Sequence, residues 1–498
     1  MLTQAIALRE QRLSRLRAGM CGRDGWALGE GWHVMGRLRR GGVTRRGRVT
    51  LAAGAALCVV TTLPGQAAAG TPSPYVFADR AVPVEGAKNS MGSARLTPGA
   101  TYKSSLARGG KLYYQVQLDA RETVYVSATA VPGLDAKVVY GDGLEVSLQD
   151  ANGNNCNSGD ARFGTAQSPR PITAWAVREV GPAENRCKVA GTYYVVVERN
   201  SDPGSSTETW DTELRVVSEP GVAKSVPTTP PESWNSASPT PPTDARKERR
   251  GGTGFNDARA LRPGVWGDRI EPGRTLFYRV PVDWGQQISA SAELGSASGG
   301  RDEYVTSALV MSLSNPVRAR IDDAETAYDG QQKSTTLEPL APVAYENRYS
   351  PVDGVAGTRF AGWYYLSVHL NPKVARQFGK EPLGLTLRVN VDGAAKAGPA
   401  YVGTARPSDE FGVTGQDKDA AVRGDTSAGG ESGGGGGEGS GHADGMRLVA
   451  AGGFGAGTLL LMVLGVWTLI GRRRAAASGS GSASGSGSGS PYGPPPAW

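Results

Sequence analysis

The chain has 498 residues, room for two or three domains of ordinary size. Its 71 Gly, 32 Pro, 20% charged and 39% hydrophobic residues suit short strands, turns and low-complexity linkers, not a helical bundle. The formal net charge of +7 is uneven: residues 1–48 hold eleven Arg against Glu10, Asp24 and Glu30, a local excess of +8, Arg472, Arg473 and Arg474 add +3, and everything between therefore carries −4. A mildly acidic middle with no basic stripe argues against nucleic-acid binding, which needs clustered Lys and Arg on the folded surface.

Residues 1–48 form a basic leader, read either as an extended cytoplasmic leader or as a start placed too early, with Met35 as the true one. Val49–Leu63 (VTLAAGAALCVVTTL) is apolar, too short for a comfortable span, preceded by Arg45, Arg46 and Arg48 and followed by Ala67-Ala68-Ala69. That pattern predicts a signal peptide over 49–69, cut before Gly70, with an uncleaved N-terminal anchor as the alternative. Thr44-Arg45-Arg46 lacks the residues that follow in a twin-arginine signal, so Sec export is expected. Leu57 before Cys58 is not the small residue of a lipoprotein box, so lipidation is not.

The middle of the chain is a repeat. Leu96-Thr-Pro-Gly99 and Leu112-Tyr-Tyr114 match Leu261-Arg-Pro-Gly264 and Leu276-Phe-Tyr278 at offsets of 165 and 164. Val146-Ser-Leu-Gln-Asp150 answers Met311-Ser-Leu-Ser-Asn315, Gly191-Thr-Tyr-Tyr-Val-Val-Val197 answers Gly362-Trp-Tyr-Tyr-Leu-Ser-Val368, and Glu213-Leu-Arg-Val216 answers Thr386-Leu-Arg-Val389. Five blocks in one order predict two copies of one domain, 72–218 and 252–393. Within the blocks, β-branched and aromatic residues alternate with polar ones and turn residues separate them. This predicts a mainly β protein of two tandem jelly-roll-like β-sandwich domains, plus one C-terminal transmembrane helix and disordered linkers.

The run from a Pro-Gly turn through Leu112-Tyr-Tyr114, a strand ending in Asp150-Ala-Asn-Gly153, and Gly191-Thr-Tyr-Tyr-Val-Val-Val197 resembles the bacterial pre-peptidase C-terminal domain. The resemblance implies a secreted β-sandwich module that usually accompanies a peptidase and serves binding or maturation. No peptidase domain is attached here, so fold and compartment are implied and function stays open. The Ala/Gly/Arg bias resembles that of high-GC Gram-positive surface proteins.

Residues 219–251 are Pro/Ser/Thr-rich, an extended semi-rigid linker, and residues 394–445 read as a Gly-rich flexible stalk reaching on the order of 40 Å. Leu448–Ile470 is 23 residues without a charge, about 34 Å as a helix and long enough to span a bilayer. Arg472–Arg474 follow, so with the signal removed the chain is expected to be a single-pass type I cell-membrane protein, its N-terminal region extracytoplasmic and its tail 471–498 cytoplasmic and disordered. Gly453 and Gly457 fit a small-xxx-small pattern for helix association. The Pro-Tyr-Gly-Pro-Pro-Pro ending could dock a partner or be inert.

Once the leader is removed, Cys156 and Cys187 remain, and in an oxidising compartment they are expected to pair, closing a ring worth roughly 3–4 kcal/mol. His369 is the single histidine within the repeats. With no nucleophile elbow near it in sequence, a strand-surface role is expected over a Ser-His-Asp triad. Asp150, Asn152, Asn154 and Asp160 superficially resemble a calcium loop, but the positions an EF-hand would fill with Gly and Glu hold Asn155 and Ala161. A hairpin turn at Asn152-Gly153 is the plainer reading, with a looser calcium site as the alternative. Trp175, Trp210, Trp266, Trp284 and Trp363 could stack on sugars or fill cores. No catalytic, cofactor or metal residue is assigned. The function expected is non-enzymatic: a membrane-anchored surface protein that binds an extracytoplasmic protein partner or scaffolds an envelope complex. Cell-wall polysaccharide binding and a cryptic hydrolase are the alternatives.

Overall fold

The structure, a computed structural model, describes residues 74–426 except 182–185, 224–225, 238 and 299–303. The leader, the signal peptide, the expected span Leu448–Ile470 and the tail lie outside the described residues. Among the described residues no helix is long and apolar enough to cross a membrane.

The first repeat builds β1 (Val82–Pro83), β2 (Ala94–Leu96), β3 (Thr101–Leu106), β4 (Lys111–Leu118), β5 (Thr123–Val131), β6 (Gly143–Gln149), β7 (Asn155–Arg162), β8 (Ile172–Arg178), β9 (Gly191–Asn200) and β10 (Trp210–Glu219). One sheet runs β1-β3-β10-β5-β8 and the other β2-β4-β9-β6-β7. The second repeat builds β11 (Lys247–Glu248), β12 (Arg259–Ala260), β13 (Gly264–Ile270), β14 (Thr275–Val282), β15 (Gln287–Leu294), β16 (Val305–Ser314), β17 (Arg320–Tyr328), β18 (Lys333–Thr336), β19 (Gly362–Leu370) and β20 (Leu383–Asp392). Its sheets run β11-β13-β20-β15-β18 and β12-β14-β19-β16-β17, the same order with ten added to each label. Each repeat is thus a mainly β sandwich of two five-stranded sheets. Apart from one short parallel edge strand per sheet, the strands follow jelly-roll order.

The repeat extends to individual contacts. Tyr114 on β4 hydrogen-bonds Ser104 on β3 at 2.7 Å, and its counterpart Tyr278 on β14 donates to Asp268 on β13 at the same distance. A glycine roofs each tyrosine: a Cβ on Gly86 would lie 2.7 Å from Leu112 Cβ and 2.8 Å from the Tyr114 ring, and one on Gly251 would lie 2.9 Å from Leu276 Cβ and 2.8 Å from the Tyr278 ring. Only a residue without a side chain allows either approach.

Burial separates the two copies. β15 alternates between buried and half-buried residues, as a sheet with one covered face should. Its counterpart β5 is buried at all nine positions. Val124, Val126, Ala128 and Ala130 fill the first core, while Tyr125 and Val131 join apolar clusters shared with the second sandwich. The outer face of sheet β1-β3-β10-β5-β8 is therefore an interface.

Two expectations about linkers change. The stretch placed in a flexible stalk, 394–445, is folded onto the sandwiches as far as residue 426. Val222 pairs with Tyr401 and Ser218 with Arg406 in isolated bridges, and Phe411 is buried between the repeats. Among the described residues the α-helices are short: α1 (Asp353–Gly357), α2 (Lys373–Phe378) and α3 (Gly415–Arg423). In α3, Thr414 and Asp417 form a capping box that satisfies the first-turn amides. The 219–251 spacer gives up both ends, Glu219 to β10 and Lys247–Glu248 to β11, and Gln287 Nε2 holds Asn235 O at 3.0 Å.

Candidate functional site at the junction of the two sandwiches

Strand β10 positions the junction. Its even residues Trp210, Thr212, Leu214 and Val216 are buried, three of them in the first core, so period two turns Glu213, Arg215, Val217 and Glu219 outward. Each of these four meets the second repeat or the segment after it. Glu213 pairs with Arg318, Arg215 with Glu410, and Glu219 with Arg348, while Val217 packs with Val317, Phe360 and Phe411.

Arg318 sits between β16 and β17 at φ 65, a left-handed conformation costly for a long side chain. Asn315 holds the turn, accepting from Arg318 N at 2.8 Å through its carbonyl and from Ala319 N at 3.0 Å through its side chain. The turn aims the guanidinium at Glu213, whose carboxylate also accepts from Tyr75 Oη (3.2 Å), Ala78 N (3.0 Å) and Asn256 Nδ2 (2.9 Å). Burial pushes the Glu213 carboxyl up, but Arg318 and these hydrogen bonds outweigh it and hold the group below the usual carboxylate range. Burial and the Glu213 charge together raise the Tyr75 hydroxyl.

Glu219 is the second buried centre. Arg348 binds it at 2.7 and 3.1 Å, and Tyr125 and Tyr401 each donate to it at 2.8 Å. The Arg348 guanidinium also stacks 3.5 Å from the Tyr345 centroid. Burial disfavours its charge, yet Glu219 raises its pKa well above the ordinary value. Buried ion pairs of this kind repay little more than their desolvation, but removing one partner is costly, so they specify one docking geometry.

The structure brings His369 to this junction as well, but not to the surface. It is buried on β19, with Nε2 2.6 Å from Ser168 Oγ of the first sandwich and Nδ1 2.9 Å from Thr275 Oγ1. Burial, with Arg170 nearby, pushes the imidazole down to about 3. The strand-surface expectation is corrected because the β7–β8 loop covers this residue. The pair resembles a nucleophile and base, but Nδ1 faces a hydroxyl instead of a carboxylate, and Ser168 is fully buried.

The other sequence candidates lie apart from the junction. Cys156 and Cys187 form the disulfide, with Cα atoms 5.8 Å apart, at the margin of the first core. Asp150 accepts from Asn152 N, Asn154 N and Asn154 Nδ2, all at 2.9 Å, closing a turn on itself, and Asp160 pairs with Arg162. The Asn154 side chain leads the hydrogen bonds that lower the Asp150 pKa. Among the described residues no group of three or more His, Cys, Asp or Glu could hold a metal. Trp210, Trp266 and Trp284 are core residues. Trp175 and Trp363 are half-buried, Trp363 donating to Asp417 at 2.9 Å under the Arg279 guanidinium, so none of the five offers an exposed ring. Sequence reasoning missed Glu213, Arg318, Glu219, Arg348, Ser168 and Phe411. The available signal was that the outward positions of β10 run Asp211, Glu213, Arg215, Val217 and Glu219, with an apolar residue interrupting the charges.

No family model matches the chain, and no curated protein does. Similar solved structures include the CUB1-EGF-CUB2 domain of human MASP-1/3, at 7% identity over 58% of this chain and 99% of that one with a TM-score of 0.14. The ANXUR2 extracellular domain from Arabidopsis thaliana is 8% identical over 60% and 85%, with a TM-score of 0.16. The tandem CBM22-1-CBM22-2 domain of Paenibacillus barcinonensis Xyn10C is 10% identical over 58% and 93%, with a TM-score of 0.17. Scores at this level do not bear on function, and the tandem-sandwich architecture stands on this chain's own strand order.

Proposed function

We propose that this chain is a non-enzymatic, membrane-anchored protein whose extracytoplasmic sandwiches bind a protein partner, or scaffold an envelope complex, as one rigid body. The observation that carries this reading is the closed junction: two buried ion-pair centres, a segment folded across both repeats, and the Ser168–His369 pair sealed inside. Two domains locked at a fixed angle present one composite surface, which suits recognition of a folded partner. The signal-peptide pattern, the 23-residue apolar run with Arg472–Arg474, and the resemblance to pre-peptidase C-terminal modules support an extracytoplasmic setting. The polysaccharide alternative would need a stacking platform built from residues other than the five tryptophans.

The test has two arms. Protease shaving of intact cells and alkaline washing of membranes examine the topology: the sandwiches should be cleaved from outside while the remnant stays in the membrane. Detergent-solubilised full chain is then sedimented with purified wall polymer at low and high salt, and cross-linked on whole cells. One partner that rebinds when purified supports the reading. Salt-resistant sedimentation with wall polymer would replace it with the polysaccharide alternative.

A further inference from the structure

The middle of the chain is acidic overall, but Arg246-Lys-Glu-Arg-Arg250 is a local run of four basic residues in five, and the fold brings Arg259, Arg262 and Arg423 beside it. Lys247 of β11 pairs with Trp266 of β13 and Glu248 with Gly267, so period two sets Arg246 with Glu248 over Gly267 and turns Lys247 to the other face; Arg246, Lys247 and Arg250 are all exposed along this edge of the sheet. Arg249 and Arg262 flank the Trp266 ring at 4.7 and 5.9 Å from its centroid. Arg249 reaches Arg423 O at 2.6 Å and Arg259 reaches Gly424 O at 3.5 Å, which brings the C-terminal end of α3 and the exposed Val422 alongside. Glu248 pairs with Arg246 and Asp425 with Arg423, but among the described residues Lys247, Arg249, Arg250, Arg259 and Arg262 have no carboxylate within ion-pair distance. Arg249 is offset in part by Asp425, and Arg249 and Arg259 bond the carbonyls at the end of α3, which leaves Lys247, Arg250 and Arg262 as the basic groups here with no acid beside them and free to take an external anion.

The position of this strip is its second property. The described chain ends at Thr426, within it, and the 21 residues 427–447 separate Thr426 from the apolar run that starts at Leu448. A chain of that length reaches at most about 75 Å, and Gly-rich chains of 21 residues average on the order of 25 Å end to end. Screening confines attraction to roughly 8 Å at physiological salt, so a strip held this close to a bilayer works where one on the far side would not.

We propose that Lys247, Arg250 and Arg262, with Arg246 shared between Glu248 and lipid, form a lipid-facing edge that lies on the phosphates of an anionic bilayer, with Val422 at its margin. Contact there sets the orientation of the paired sandwiches over the membrane. The proposal rests on the membrane-anchored reading above and adds to it a face and a ligand chemistry. The arginines that hold α3, Arg249, Arg259 and Arg279, stay internal to the fold.

The full chain is reconstituted into nanodiscs of phosphatidylcholine alone or with phosphatidylglycerol, and amide exchange is followed over residues 246–262 and 415–426. Protection greater by tenfold or more in the anionic discs, reversed at 0.5 M salt, is the expected result, since each basic group near an anionic surface contributes about fivefold. The R246S/K247S/R250S variant should lose most of it with an unchanged thermal midpoint. If that variant does not fold, the lipid and salt comparisons on the native chain decide alone. Equal protection in both discs overturns the lipid-facing surface and leaves the anchor intact. Inorganic polyphosphate protecting the strip in neutral discs as well as anionic lipid does overturns it in favour of a soluble phosphate polymer. A chain that does not float with the discs overturns the membrane-anchored reading, and the strip with it.

Discussion

Arg318, at the turn between two strands of the second sandwich, lies buried against Glu213 in the middle of β10 of the first. Neither charge has water to fall back on, so the pair functions as a register mark between the repeats. Arg318→Met strands a buried carboxylate and should cost about 3–5 kcal/mol in urea unfolding, whereas R318M with E213Q should recover a large part. A cost below 1 kcal/mol for the single change would mean that the pair does not hold the junction.

His369 gives the junction a pH signature. Its pKa is near 3 in the folded chain against an ordinary 6.5, so the unfolded chain takes up the proton first as pH falls. The His369 contribution to stability is full well above pH 6.5 and declines by up to about 1.4 kcal/mol per unit as pH falls toward 3. Glu213, held below its ordinary 4.5, adds a loss only under that value. Thermal midpoints between pH 6.5 and 4.5 should slope in the native chain and flatten in H369Q; equal slopes would place the titration elsewhere.

Phe411 is 7% exposed and packs 4.9 Å, centroid to centroid, from Phe360. Phe411→Ala should cost about 3 kcal/mol and open residues 394–414 to limited proteolysis well before either sandwich is cleaved. Cleavage of the native chain there at the same rate would argue that this segment is not docked.

The paired glycines test the repeat itself. Gly86→Ala and Gly251→Ala each drive a methyl into a Leu-Tyr pair and should destabilise by similar amounts, about 1–3 kcal/mol. Unequal costs would show that one tyrosine site relaxes more freely than the other.

Reducing the Cys156–Cys187 bond, or Cys156→Ser, opens a link between residues 31 apart in sequence and should cost roughly 3–4 kcal/mol. Urea midpoints with and without reductant measure it, and an unchanged midpoint would show that the bond adds nothing to stability.

Much of the sandwich was legible because strand periodicity is local: four matched blocks fall on β4, β6, β9 and β10 and on their counterparts, and the first marks the turn that follows β2 and β12. The junction was not, because it depends on which face of a strand meets another domain. In Thr123–Val131 the outward positions Tyr125 and Val131 are apolar or aromatic, a visible sign of cover on both faces, but nothing local names what covers them. Glu213 and Arg215 read as ordinary solvent-face charges, as Thr386 and Arg388 at the matching positions of the open sheet are polar and half-buried. The segment 394–426 looked like a stalk because its anchors, Tyr401, Glu410 and Phe411, are single residues scattered among polar ones with no period.

The three arginines gathered on the carbonyls at the end of α3 have a mechanical consequence. Tension applied at Thr426 enters the molecule through the second sandwich, where Arg249, Arg259 and Arg279 grip the chain, and reaches Phe411 and the Arg215–Glu410 pair only after α3 has been peeled away. A pull at Thr426 therefore peels the end of α3 from the second sandwich before it acts directly on the segment docked at the junction.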